Sequence, residues 1–136
     1  MEFAIKAEVS NAKTDLFVFS EQKTMYEGKH IAAGDVLFVF ASENEGGQGL
    51  VAAGIVACAE ATPRTPGIAR QTPRVSITVR STGVAKRRLG RAELKGFANW
   101  NDGRPETELN LKFYRQATNK IVGISGEAAA FLRSYF

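Results

Sequence analysis

The chain has one cysteine, Cys58, and one histidine, His30, among 136 residues. A lone cysteine forms no intrachain disulfide, which fits a reducing compartment, and the chain is expected in the cytoplasm. One cysteine and one histidine do not supply a zinc site of the usual Cys and His type. Cys58 sits mid-strand in an apolar run, where a free cysteine packs as a small hydrophobe, so a core position is expected. His30 is expected on a surface loop. No apolar run approaches the roughly 18 residues of a membrane-spanning helix. Met1-Glu2-Phe3 begins acidic, with no basic segment before an apolar one, so no signal peptide is expected. No phosphate-binding loop motif and no dinucleotide-binding glycine motif occurs. These absences leave no metal, no cofactor and no catalytic residue implied. Shape and charge must carry the functional reading.

What is present fits one ordinary globular domain over residues 1–136, with 44% apolar and 24% charged residues. The net charge of +4 is modest, but its placement is uneven. Arg64, Arg70, Arg74, Arg80, Lys86, Arg87, Arg88, Arg91 and Lys95 fall in a stretch whose only acid is Glu93. A basic middle third points to a polyanionic partner, nucleic acid first. The plain alternative is a solvated surface. Arg74, Arg80, Arg87 and Arg88 are the candidate phosphate contacts, through charge-assisted hydrogen bonds and counterion release. Glu43 and Glu45 read as solvated turn residues.

Hydropathy patterning gives five or six short strands and two helices. Phe3, Ile5, Ala7 and Val9 alternate with Glu2, Lys6, Glu8 and Ser10, the period of a half-buried strand. Leu16–Phe19 starts a second strand or a helix, and residues 20–33 read as a loop with one helical turn. Val36–Ala41 is apolar on both faces, as in a strand buried on both sides. Leu50–Ala59 is rich in Ala and Val, with Gly54 marking a bulge or a close backbone approach. Pro63, Pro66, Gly67 and Pro73 make residues 62–73 a loop. Val75, Ile77 and Val79 alternate with Arg74, Ser76, Thr78 and Arg80, a clear strand. A helix is expected between Val84 and Phe97, and a strand over Leu109–Tyr114. Ser125 caps a C-terminal helix whose Ala128, Phe131, Leu132 and Tyr135 share one face. The order is not alternating βαβ. The fold class is α+β, a small, mainly antiparallel sheet or barrel with peripheral helices.

Trp100 lies in a polar loop between Asn99 and Asn101. It either stacks on a base while the amides read the base edge, or folds back onto the core. Arg115 and Asn119 belong to the polar segment YRQATNK, which lines a site or holds its own loop in place.

The segment GDVLFVFASENEGGQGLVAAGIVACAEATP, residues 34–63, resembles the central segment of the EVE domain, within the PUA-like superfamily. The shared features are Gly34-Asp35, an apolar strand ending at Ser42, a glycine-bearing tip at Gly46–Gly49, and Gly54-Ile55-Val56 running to Glu60 before Pro63. The ASCH domains share the Gly-Asp and strand pattern. The resemblance covers about a fifth of the chain. It implies a mixed pseudo-barrel with a pocket at one end, where such domains hold a modified base among aromatics. A flipped base needs stacking and edge hydrogen bonds to offset the cost of leaving its stack. Phe40 and Ser42 match the strand end bordering that pocket, and Phe19 and Ser20 are a weaker match to its opening wall. The family often carries tryptophan in its first strand and after its first apolar run. This chain lacks the former and has Phe19 at the latter, so the cage is either incomplete or completed by Trp100 from another loop.

The leading expectation is a non-enzymatic module for nucleic acid or a modified nucleotide, monomeric or weakly dimeric and with no membrane partner. Two other readings stay open. One is an ASCH-like RNA-processing enzyme or small-amide hydrolase, with Lys or Arg acting beside Tyr or Glu. The other is a protein–protein interaction domain with arginines at its rim.

Overall fold

The computed structural model describes residues 2–136. Six strands close into a barrel: β1 (Glu2–Ala7), β2 (Leu16–Met25), β3 (Val36–Ala41), β4 (Gly49–Ala61), β5 (Arg74–Val84) and β6 (Lys120–Gly123). Around the barrel their order is β1-β3-β4-β5-β2-β6, and β6 returns to pair with β1. The β1/β3 and β2/β6 pairs are parallel, and the other four are antiparallel. Three short helices pack outside: α1 (Arg91–Leu94), α2 (Pro105–Asn110) and α3 (Gly126–Arg133). This is an α+β mixed pseudo-barrel with peripheral helices. Among the described residues no helix is long and apolar enough to cross a membrane.

Side-chain parity splits the core in two. Phe3, Ile5, Leu37, Val39, Val56, Ile77, Val79 and Ile121 belong to a cluster fed by every strand, which fills the barrel. The alternate residues Ala4, Phe38, Phe40 and Val122 point outward and meet Leu94, Leu109, Phe113 and Leu132 from the helical layer. β1 and β3 are therefore buried on both faces. For β3 the doubly apolar run anticipates this. For β1 it corrects the half-buried reading, because Lys6 on the supposed solvent face is only 1% exposed.

The β3–β4 hairpin forms as expected, and its tip is a short 3-10 turn over Glu43–Glu45. Gly49 takes φ +83°, and a Cβ there would run into the Leu89 carbonyl. Gly54 lies at a register shift between β4 and β5, and a Cβ there would strike the Arg80 backbone. Bulge and close approach thus coincide at one residue. Cys58 is a correction, since it is exposed on β4. Its neighbours Val56 and Ala59 both join the barrel core, across a register shift between Val56 and Cys58. Glu43 is another correction. It is half-buried, and its carboxylate accepts the Arg91 N–H at 2.8 Å, docking the hairpin tip on α1.

Three expected elements differ. β2 does not stop at Phe19. It crosses a bulge at Ser20–Glu21, then pairs Gln22 and Lys23 with β5 and Thr24 and Met25 with β6. The expected helix from Val84 to Phe97 reduces to α1, because residues 85–89 run irregularly beside β4, held by the bonds Ala85 N–H to the Val51 carbonyl and Leu50 N–H to the Leu89 carbonyl. Leu109–Tyr114 is helical: α2 runs into a π-helical turn over Leu111–Arg115. Leu109 and Phe113 are four apart, a spacing that serves one face of a strand and one face of a helix alike. Pro105 in the first turn, followed by Glu106 and Glu108, decides for helix. The sixth strand is instead Lys120–Gly123. Ser125 caps α3, accepting the Ala128 N–H at 3.1 Å.

Candidate base-binding cavity at one end of the barrel

The barrel end near the hairpin tip holds a cavity of about 380 Å³, within the size range of small-ligand sites. Four segments build it. The β2 bulge gives Glu21, Gln22 and Lys23, the hairpin tip gives Ser42, Asn44 and Glu45, the start of β5 gives Arg74, and the turn before β6 gives Ala117, Thr118 and Asn119.

Each wall is locally fixed. Glu21 sits in the left-handed region at φ 48°, a bulge geometry that recurs beside functional sites. Its N–H donates to the Ser76 hydroxyl at 2.8 Å, and its carbonyl accepts from the Arg74 guanidinium at 2.8 Å. The Ser42 N–H donates to Ala7 at 2.8 Å, and its carbonyl accepts the Gly47 N–H at 2.8 Å.

The turn 116–119 is held from behind by two buried lysines. Lys6 donates to the carbonyls of Phe113 (2.7 Å) and Ala117 (2.5 Å). Lys120 donates to those of Gln116 (2.5 Å) and Thr118 (2.9 Å). Burial lowers both ammonium groups to about 8, helped at Lys6 by Arg91 and at Lys120 by Lys6. Burial, then the neighbouring Glu43 carboxylate, pushes the Tyr114 phenol up.

The cavity's chemistry is mixed. Lys23 and Arg74 face Glu21 and Glu45, with amides from Gln22, Asn44 and Asn119 between them. Such a lining offers both donors and acceptors to a polar, neutral ring. No aromatic ring lines it. Among the described residues no three His, Cys, Asp or Glu side chains come together as a metal site.

Of the residues singled out from the sequence, the fold brings Ser42, Arg74 and Asn119 together here. It does not build the aromatic cage. Phe19 points into the barrel and stacks on Phe17, and Phe40 points outward against Phe113 with ring centroids 5.0 Å apart. Ser20 is exposed in the bulge and is not among the cavity's lining residues. Trp100 is 43% exposed, with the Arg115 guanidinium 5.5 Å from its ring centroid, so it is neither a core plug nor a wall of the cavity.

The basic segment is also divided. Arg80 is exposed on β5 away from the cavity lining. Arg87 lies over the Tyr135 ring at 4.2 Å and donates to the Ser134 carbonyl at 2.8 Å. Arg88 pairs with Glu93 at 3.5 Å, and with Arg87 it borders a separate hollow of about 290 Å³. The arginines do not form a single phosphate-binding row. Sequence reasoning missed Gln22, Lys23, Asn44 and Thr118, because their place depends on the bulge and on β6.

No family model matches the chain, and no curated protein matches it. Solved structures do. The DUF55 domain of human thymocyte nuclear protein 1 superposes with a TM-score of 0.67 at 18% identity, covering 98% of this chain and 97% of that one. Human THYN1 protein, solved in complex with DNA containing 5-methylcytosine, superposes with a TM-score of 0.65 at 16% identity, covering 98% and 95%. A protein from Pseudomonas putida gives 0.65 at 14% identity, covering 99% of both chains. At these identities the likeness speaks for the fold alone, which this chain shares with that DUF55 domain over nearly its whole length.

Proposed function

We propose that this chain binds nucleic acid and holds one unstacked base, modified or not, in the cavity at the barrel end. The observation that carries the reading is the cavity itself. It is of small-ligand size, and it is walled by Ser42, Arg74 and Asn119, singled out by the EVE resemblance, the charge pattern and the polar segment YRQATNK in turn. The human structure holding 5-methylcytosine-containing DNA has the same fold, which supports nucleic acid as the partner.

In this reading the guanidinium plane of Arg74 takes the stacking role of the absent cage, since Arg planes as well as aromatic rings stack on bases. Gln22, Asn44 and Asn119 supply edge hydrogen bonds. The polar lining fits a base better than a phosphate, because its two acids offset its two cations.

The test is fluorescence anisotropy with single-stranded and duplex oligonucleotides carrying cytosine or 5-methylcytosine at one position. Ala117→Trp fills the cavity from an exposed position. The expected result is loss of any discrimination between the two bases and an affinity lower by about tenfold or more, with the fold intact by circular dichroism. Unchanged affinity and discrimination in that variant would refute the cavity as the base site.

A further inference from the structure

Beside the base cavity lies a larger groove of about 680 Å³ between the β4–β5 loop and the Lys29–His30 turn. The two hollows share Glu21 and Arg74, so they are contiguous. Their charge differs sharply. The cavity balances two cations with two acids, whereas the groove is lined by Lys29, Arg64, Arg70 and Arg74 against the single acid Glu21, with His30 turned to Glu27 at 2.8 Å.

We infer that this groove is a subsite for the sugar-phosphate backbone next to the base held in the cavity. The inference rests on the base-binding reading above and gives it a direction along the strand. An excess of cations in a groove that runs on from a base pocket is the arrangement that tracks a single strand.

The groove wall is pre-shaped. The Gln71 amide is bonded to both the N–H (2.9 Å) and the carbonyl (2.7 Å) of Thr65 and to the Ile68 carbonyl (3.0 Å). Arg64 reaches the Ala69 carbonyl at 3.2 Å with one of its five donors, and the Thr24 hydroxyl ties the loop's end through the Pro73 carbonyl at 2.7 Å. The loop therefore presents Arg64 and Arg70 from a fixed turn, and little further ordering is needed when a strand arrives.

The experiment is the salt dependence of binding to a fluorescein-labelled single-stranded DNA with one central 5-methylcytosine. Each phosphate contact contributes about 0.7 to the slope of log affinity against log salt for a single strand. The Arg64→Ala/Arg70→Ala double variant should reduce the slope by about 1.4 and leave the ratio of affinities for methylated and unmethylated strands unchanged. Arg64→Lys/Arg70→Lys should restore most of the slope, which separates lost charge from a disturbed loop. An unchanged slope in the alanine variant, with the base ratio intact, overturns the groove subsite and leaves the base cavity standing. A wild-type protein that binds neither strand overturns both.

Discussion

Lys6 and Lys120 face each other across the β1–β6 seam as register partners, both almost wholly buried, and together they hold the carbonyls of Phe113, Gln116, Ala117 and Thr118 behind the cavity. Two ammonium groups so placed couple the protein's protonation to the shape of one cavity wall. In the folded chain both titrate at about 8 instead of 10.5. Between those values the unfolded chain binds more protons than the folded one, so stability should rise with pH from about 8 towards 10. The slope approaches about 1.4 kcal/mol per pH unit for each lysine. Tyr114 acts in the opposite sense at higher pH, because its raised pKa keeps the folded phenol protonated while the unfolded one ionises. Urea titrations across this range should show the rise, and Lys120→Met should flatten it. A stability that is level from pH 8 to 10 in the wild type would contradict the burial of these charges.

Glu108 ties two helices together. Burial works against its charged form, but the hydroxyl and N–H of Ser125 and the Lys112 ammonium outweigh it and hold the carboxyl below its ordinary value. Its stabilisation is therefore present above about pH 4.5 and is lost as pH falls through the lower folded value. Glu108→Gln should cost about 1–3 kcal/mol at neutral pH and weaken the acid limb of the stability profile. Ser125→Ala removes the α3 cap as well and should cost about 1 kcal/mol or more. Since the two residues touch, a double-mutant cycle should show that their effects do not add.

Gly54 and Gly96 offer a matched pair. A Cβ at Gly54 meets the Arg80 backbone, while one at Gly96 meets nothing within 4 Å. Gly54→Ala should lose at least about 2 kcal/mol through strain in the β4–β5 pairing. Gly96→Ala should be neutral or stabilise by up to about 1 kcal/mol. Denaturant midpoints for the two variants check both statements together.

These comparisons show where local pattern suffices and where it fails. The β3–β4 hairpin, the 62–73 loop, the strand at Val75–Val79 and the Ser125 cap are set by residues close in sequence, and each is readable there. Lys6 is not, because alternation marks it polar and only the helical turn at Phe113–Ala117 supplies the carbonyls that bury it. Gln22 and Lys23 are not, because the strand that holds them continues across a bulge only by pairing with β5 and β6. In the candidate site, Ser42, Arg74 and Asn119 were legible as a strand end, a basic position and a polar turn. The aromatic cage was not a safe extension of them. Parity along β3 sends Phe40 to the outer layer, and parity along β2 sends Phe19 to the barrel core.

The seam between β1 and β6 has a kinetic consequence. The strand formed by Glu2–Ala7 can bond to β3 early, but the ring of strands has no closing partner until Lys120–Gly123 arrives from the far end of the sequence. Such long-range pairing slows folding, since the entropy of closing the chain is lost before the contacts that reward it form. The cavity wall before β6 shares that fate. On this architecture the cavity is among the last features the polypeptide completes as it folds.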